Sequence, residues 1–522
     1  MKIQEPSELL KNIKNKFNAN DKFIMLVVFI LGIINNFTFF ITKGISPDAL
    51  AMTDFDIASG WEISLGRYGL PFANLLRFGL INKFLIVLIC LLCFAFSVMI
   101  LVRIFKINNK LIIFLISAII SVAPQFTETY FFIYCADAYC IAFFMSILAV
   151  YFMQLTEKNK RYYILTGICT IIVCSLYQAY LGVLIGLTII LLVEKLIKNG
   201  NIKEAILQTI QNFLIIFTSI VLYYIMLKII VAILGLSLAS YKGANSLGIN
   251  TIRSLPKTIM QTYKDFINFF FTNKVINNTY YGRIIINGIL FLASFIGIVL
   301  TIKKNKSSDK ILRATLIILS IIILPIGINI MDVVATGTTV NLVTGPGFLS
   351  LIILVSIIYN ELADNTLENI IKYIYILTLL ILVFTFILEN TFTYMARQET
   401  YENYYAVIND IYTKATNLDE YSTDKKWMFS DVICYKVRYL ERTNGFISKD
   451  NETWKNYSGT TMQNSNYFDK YLGLDIKTCS KEEYKQMVES DEFKNMPIYP
   501  NKGSIKIINN IIVIKISEKT FE

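Results

Sequence analysis

Asp54 and Asp56 stand one residue apart in Thr53-Asp54-Phe55-Asp56, and the turn Gly66-Arg67-Tyr68-Gly69 follows shortly after. Paired carboxylates can supply a general base with an orienting partner, or ligate a divalent cation. The same spacing also suits two solvated acids, one of them capping a short helix. Arg67 adds a planar fork able to hold phosphate through two hydrogen bonds, with Tyr68 beside it. Two further acids, Glu128 and Asp137, flank the segment from Thr127 to Tyr139. At membrane level an ionised group is costly, so each would need a cavity or a partner; a merely interfacial Asp137 would need no role. In Tyr177-Gln178-Ala179-Tyr180 the tyrosines are expected as membrane-belt residues, and Gln178 carries the functional hint.

The chain contains no histidine. That removes His-based general catalysis, His-containing zinc sites and acyl transfer through an intramembrane His. No Gly-rich P-loop occurs either, so no nucleotide-driven motor of that kind is present. Chemistry must rest on carboxylates, Arg, Lys, Tyr or amides. No cofactor is called for, a divalent cation at Asp54 and Asp56 being the one alternative.

Long apolar runs must position these residues. Hydrophobic residues make up 55% of the chain and charged residues 17%, and the apolar ones come in blocks. About 20 residues at 1.5 Å rise cross a bilayer core. By that measure the chain predicts about eleven spans, near 23–42, 84–102, 111–126, 139–155, 162–177, 180–197, 207–238, 284–302, 312–330, 348–362 and 373–392. The first follows Lys11, Lys14, Lys16 and Lys22 and reads as a signal anchor after a cytoplasmic segment 1–22.

Short basic loops stay in the cytoplasm. Arg103, Lys106 and Lys110, then Lys158, Lys160 and Arg161, then Lys195, Lys198 and Lys203, then Lys303, Lys304, Lys306 and Lys310 alternate with short outer loops near 127–138, 177–180 and 331–347 that carry no Lys or Arg. This predicts an N-terminus inside and a C-terminus outside. Residues 23–392 then form the membrane domain, with long outer loops 43–83 and 239–283. The second of these, with Arg253, Pro256-Lys257 and Phe266 to Phe271, reads as an amphipathic helix in the interface that could shape a groove for a lipid.

The tail changes composition abruptly. Residues 393–522 hold 18 basic and 19 acidic side chains, against 31 and 19 in the rest, so the formal +11 is a topological signal. Nucleic-acid binding would need a basic patch on a soluble face, and none is evident. Alternation in Ile505–Ile508 and Ile511–Ile516 about Asn509-Asn510 predicts a β-hairpin, and helices near 400–417 and 480–493 complete a small extracytoplasmic α/β domain. Cys434 and Cys479 lie in this tail and could pair, whereas Cys90, Cys93, Cys169 and Cys174 read as small apolar residues within spans.

Four segments together resemble the bacterial and phage type II glucosyl transferases, polytopic enzymes of the GT-C class that glucosylate O-antigen and related surface polysaccharides. They are Asp54 with Leu65-Gly66-Arg67-Tyr68, Asp137-Ala138-Tyr139, Tyr177-Gln178-Ala179-Tyr180, and Met496-Pro497-Ile498-Tyr499-Pro500 with Gly503-Ser504-Ile505 and the closing hairpin. The resemblance implies an all-α, GT-C-like membrane protein in a bacterial plasma membrane. It also implies transfer of a hexose, glucose first, from a polyprenyl-phosphate sugar to a polysaccharide acceptor on the outer face of the bilayer. Asp54 and Asp56 are then the candidate catalytic residues. Arg67, Tyr68, Glu128, Asp137, Tyr177 and Gln178 are the candidate substrate contacts. A flippase, transporter or polymerase of lipid-linked sugars is the alternative; a transporter would show broken helices or repeat symmetry at the midplane.

Overall fold

The computed structural model describes residues 17–52, 57–239, 249–272, 281–304, 309–335, 341–433 and 457–521. Asp54, Asp56 and Cys434 lie outside the described residues. The chain divides into two compact units. The first comprises Met1–Phe37, Ile57–Tyr130 and Cys135–Thr391, and the second Thr38–Asp56, Phe131–Tyr134 and Phe392–Glu522.

The apolar blocks form the long helices of the first unit: α1 (Ala19–Ile41), α2 (Lys83–Ile104), α3 (Lys110–Val122), α4 (Ala136–Leu155), α5 (Tyr162–Leu176), α6 (Leu181–Ile197), α7 (Ile202–Ile233), α8 (Ile249–Phe271), α9 (Tyr281–Lys304), α10 (Lys310–Ile328), α11 (Ser350–Glu361) and the start of α12 (Thr366–Thr416). Asn82, Asn109 and Asn201 cap α2, α3 and α7 through side-chain oxygens that accept from backbone N–H groups, which would otherwise lack partners in the first turn. Among the described residues nine helices are long and apolar enough to cross a membrane. Two shorter apolar helices, Tyr162–Leu176 and Pro346–Glu361, occupy the places of the other two expected spans.

The ends that carry the basic loops are tied together by charge. Arg103 donates to Asp21 at 2.8 Å, Lys195 pairs with Glu157, Lys304 with Glu368, and Lys372 with Asp364. α4 packs between α2 and α5, α6 against α10 and α5 against α7. Helix α8 is amphipathic in sequence, as expected; it buries Thr258, Thr262, Asp265 and Phe269 and leaves Lys257, Lys264, Met260 and Ile267 exposed.

In the second unit, β1 (Lys426–Phe429), β2 (Ile505–Ile508) and β3 (Ile511–Ile514) form a sheet in the order β1-β3-β2. The expected hairpin is β2 with β3, antiparallel, Ile505 facing Ile514. Asn509 and Asn510 take φ of 48° and 65°, the left-handed pair that a tight hairpin turn needs. Sequence alternation missed β1, which adds parallel to β3 in the register Lys426 to Ile511. It has only four residues and gains its identity from that pairing. One sheet face covers Tyr404, Ile408 and Ile411 of α12, and the other packs on Tyr484, Met487 and Phe493. Helix α12 runs without a break across residues 392 and 393, where composition changes.

Candidate active site

The turn Gly66-Arg67-Tyr68-Gly69 joins two short helices, Gly60–Ser64 and Leu70–Leu75. Glu62 accepts from the N–H of Ser59 in a capping box that starts the first, and Pro71 suits the opening turn of the second. Gly66 reverses the chain with φ of 87°, a region that side chains other than glycine rarely adopt. Its carbonyl accepts from Tyr223 Oη at 2.8 Å, and Gln178 Nε2 donates to Leu65 O at 3.0 Å and to Tyr223 Oη at 2.8 Å. The N–H of Gly69 donates to Ser175 O at 2.9 Å. A Cβ at Gly66 would stand 2.3 Å from Tyr223 Oη, and one at Gly69 2.5 Å from Ser175 Oγ. Both glycines are therefore required by close approach to the tip between α5 and α6.

This docking aims Arg67. Its Nη1 donates to Tyr139 Oη at 3.0 Å, and its guanidinium lies 4.6 Å from the centre of the Tyr177 ring. Tyr139 and Tyr177 stack at 4.2 Å with planes 10° apart. Thus three segments far apart in sequence, around 65–69, 137–139 and 177–180, converge on one guanidinium. Tyr177 is not a belt residue as expected; it is 9% exposed and lies under Arg67. Tyr68 stacks on Tyr223 at 5.6 Å, and burial pushes its phenol up to about 12.

Asp137 occupies the first turn of α4 and is fully buried. Arg77 Nε donates to Asp137 Oδ2 at 2.9 Å, with the two side chains 1% and 0% exposed, and Arg77 Nη1 donates to Leu80 O at 2.7 Å. Asp137 Oδ1 has no hydrogen-bond partner among the described residues. Arg77 was absent from the residues expected to matter. The signal for it was indirect: a buried acid at membrane level needs a cation, and the outer loop that already supplies Arg67 carries one other arginine. Tyr139 and Tyr223 were missed because tyrosine is common in membrane proteins and only their hydroxyl partners single them out. Glu128 is buried on the short helix Pro124–Phe131.

In the second unit the segment that precedes residue 53 is anchored on several contacts. Ser46 caps Pro47–Leu50 through its Oγ, and its N–H donates to Phe131 O at 3.0 Å. Lys470 Nζ donates to Ala49 O at 3.3 Å and Met52 O at 3.1 Å. Among the described residues no cluster of three acidic, Cys or His side chains is placed to hold a metal.

The convergence supplies a fixed guanidinium over the face of Tyr177 and bonded to the Tyr139 hydroxyl, with a buried carboxylate and a second arginine in an adjoining turn of the same elements. Cation, ring and amide together suit a sugar, which stacks on aromatic faces, and a phosphate, which pairs with arginine. Residues 37–354 of the chain match the family model described as Glucosyl transferase GtrII. No curated protein and no solved structure matches it.

Proposed function

The chain belongs to the GtrII glucosyl transferase family, and from that membership we propose that it moves glucose from a polyprenyl-phosphate sugar to a hydroxyl of a surface polysaccharide on the extracytoplasmic side of a bacterial plasma membrane. The observation that supports this reading best is the Arg67 cluster. A glycosyl transferase of this kind must hold a sugar and neutralise a leaving phosphate at the membrane surface. Arg67, oriented by Tyr139 and Tyr177, supplies the charge. Gln178, Tyr223 and the two glycines fix the turn that carries it.

In the reaction, the acceptor oxygen forms a bond to the anomeric carbon as the bond from that carbon to the phosphate oxygen breaks. The lipid phosphate leaves with the bonding pair, and the acceptor proton passes to a carboxylate. Asp54 or Asp56 takes that proton, since Asp137 is already committed to Arg77. A phosphate is a good leaving group without protonation, so positive charge contributes more than a general acid would. A single displacement of this kind inverts the anomeric centre, by analogy with glycoside hydrolysis.

The test is to incubate the purified full-length protein with radiolabelled glucosyl-phospho-polyprenol and acceptor glycan, alongside Asp54→Asn and Asp56→Asn. An amide of the same size cannot accept the proton, so one variant should lose several orders of magnitude in turnover while keeping donor affinity. Normal transfer by both single variants and by the double variant would remove these acids from the mechanism. Absence of transfer with any donor, together with protein-dependent movement of the lipid across vesicles, would replace the transferase reading with a transporter.

A further inference from the structure

At the end of the first unit that carries the basic loops, a polar cleft of about 390 Å³ lies between the start of α3, the end of α11 and the first turns of α12. Clefts that hold small ligands run from about 300 Å³ upward, so the space suits a headgroup and not a whole lipid. Asn109, Tyr359, Asn360, Asp364, Asn369 and Lys372 line it. None of them takes part in the site around Arg67.

Two opposite charges stand side by side in the cleft. Lys372 Nζ lies 2.7 Å from Asp364 Oδ1, with side chains 16% and 89% exposed, so the ammonium is the inner charge and the carboxylate the outer one. The Lys372 ammonium also lies 5.6 Å from the centre of the Tyr359 ring, and its hydrogen bond holds the Asp364 carboxyl below its usual range. A pair this open to water binds its partners weakly, so a ligand with two charges of its own can share them. Asn109 Oδ1 already accepts from the N–H groups of Leu111 and Ile112, at 2.9 and 3.2 Å, which leaves its Nδ2 to offer. Asn360 and Asn369 each add amide donors and an acceptor. Tyr373 also lines the cleft and is 72% exposed, and Leu377, Leu380 and Phe384 follow it, likewise exposed, along one face of α12. The paired charges thus sit at the head of an apolar stripe that a spanning helix presents to acyl chains.

We propose that this cleft binds the headgroup of a zwitterionic phospholipid with a primary ammonium, the chemistry of phosphatidylethanolamine. The phosphate, nearer the acyl chains, pairs with the inner Lys372, and the ammonium, further out, pairs with the outer Asp364. Each charge of the lipid then meets its opposite in the order in which the cleft presents them. Asn109 Nδ2 donates to a phosphate oxygen, and the Asn360 carbonyl accepts from the ammonium. A choline headgroup has no N–H to donate, and a glycerol headgroup has no cation, so the site selects among phospholipids. The inference goes beyond the glucosyl transfer reading and uses nothing from it. Free phosphoethanolamine presents the same two groups without acyl chains, and competition separates the two sources.

The experiment takes full-length protein stripped of lipid in detergent and titrates it with dioleoyl phosphatidylethanolamine, phosphatidylcholine and phosphatidylglycerol, reading bound lipid by native mass spectrometry. Wild type is compared with Lys372→Gln and Asp364→Asn. Lipid that Lys372→Gln retains is annular, so the difference from wild type reports the cleft. Wild type should bind the ethanolamine lipid at least fivefold more tightly than the other two. Lys372→Gln should lose that tight binding, and Asp364→Asn should bind phosphatidylglycerol at least as well as phosphatidylethanolamine. Melting in lipid-free detergent checks that each variant is folded, and if one is unstable the other decides the matter. Equal binding of the three lipids by wild type, or an ethanolamine preference that survives in both variants, would overturn the proposal. Tighter wild-type binding of phosphatidylglycerol would overturn it too, making the cleft a general anion site. Displacement of the lipid by an equal concentration of free phosphoethanolamine would give the site to a soluble compound and sink the lipid assignment.

Discussion

Replacing Gly66 with alanine perturbs the site without removing any side chain that could meet substrate. The backbone at Gly66 has φ of 87°, and holding an L-residue in left-handed geometry costs about 1–2 kcal/mol. The new Cβ would lie 2.3 Å from Tyr223 Oη and 2.7 Å from Gln178 Nε2. Both atoms can retreat, but they are the atoms that hold the turn, bonding to Gly66 O and Leu65 O. Losing those two hydrogen bonds costs about 1 kcal/mol each. The total is about 3–4 kcal/mol against the docked turn, or roughly a 100- to 1,000-fold shift toward undocked states. Arg67 then loses its place over Tyr177. Because the long apolar helices are unaffected, the variant should still insert and purify. With radiolabelled donor, kcat/KM should fall about 100-fold. Gly288→Ala serves as the control, since a Cβ there meets nothing within 4 Å. Near wild-type kcat/KM for Gly66→Ala, at unchanged melting temperature, would refute the claim that the turn positions Arg67 for the reaction.

Removing either partner of the Arg77 and Asp137 pair leaves a buried charge unmatched, so Arg77→Ala and Asp137→Ala should each destabilise by about 3–5 kcal/mol. The double variant should lose less than the two singles combined, as melting of the detergent-solubilised protein would reveal. Tyr68 Oη is buried with no hydrogen-bond partner among the described residues, so Tyr68→Phe should leave the melting temperature within a degree or two of wild type by the usual scale of near-neutral substitutions. A drop in donor affinity in that same variant would assign the hydroxyl to substrate, and unchanged affinity would make the ring a spacer. In the second unit, the Lys426 ammonium and the Ser480 N–H hold the Glu483 carboxyl below its usual range. A depressed acid contributes stability above its unfolded pKa, near 4.3, and loses it as pH falls through the lower folded value. Glu483→Gln should therefore flatten the acid limb of thermal stability below about pH 4, and an unchanged limb would count against the pairing.

Much of the architecture was legible from local chemistry alone. A run of some 20 apolar residues has few options in a membrane other than a helix, because each backbone polar group must be satisfied within the segment. The positions of the long helices, the amphipathic α8 and the hairpin about Asn509-Asn510 follow from pattern and turn chemistry, and the structure places them where the sequence put them. The boundary after residue 392 was read from composition, but α12 continues through it. Composition records what surrounds a helix and says nothing about whether its hydrogen-bond ladder stops. Strand β1 escaped for the opposite reason, since four residues carry too little periodicity to be seen without their partner.

The sequence by itself determined which residue types were available for chemistry. With no histidine, it restricted the reaction to carboxylates, arginine and tyrosine, and it marked Arg67, Asp137 and Gln178 by their company in three short motifs. Only the tertiary structure decided that these motifs meet. It gave Asp137 to Arg77, set Tyr139 and Tyr177 around Arg67, and made Gly66 and Gly69 obligatory through atoms of Tyr223 and Ser175. The physical reason is range. Helix formation and turn geometry depend on neighbours a few residues apart, whereas the partners of Arg77 and Gly66 are fixed by how the helices pack, and Asp137 and Tyr223, 60 and 157 positions away, reach them only after those helices have buried their faces against one another.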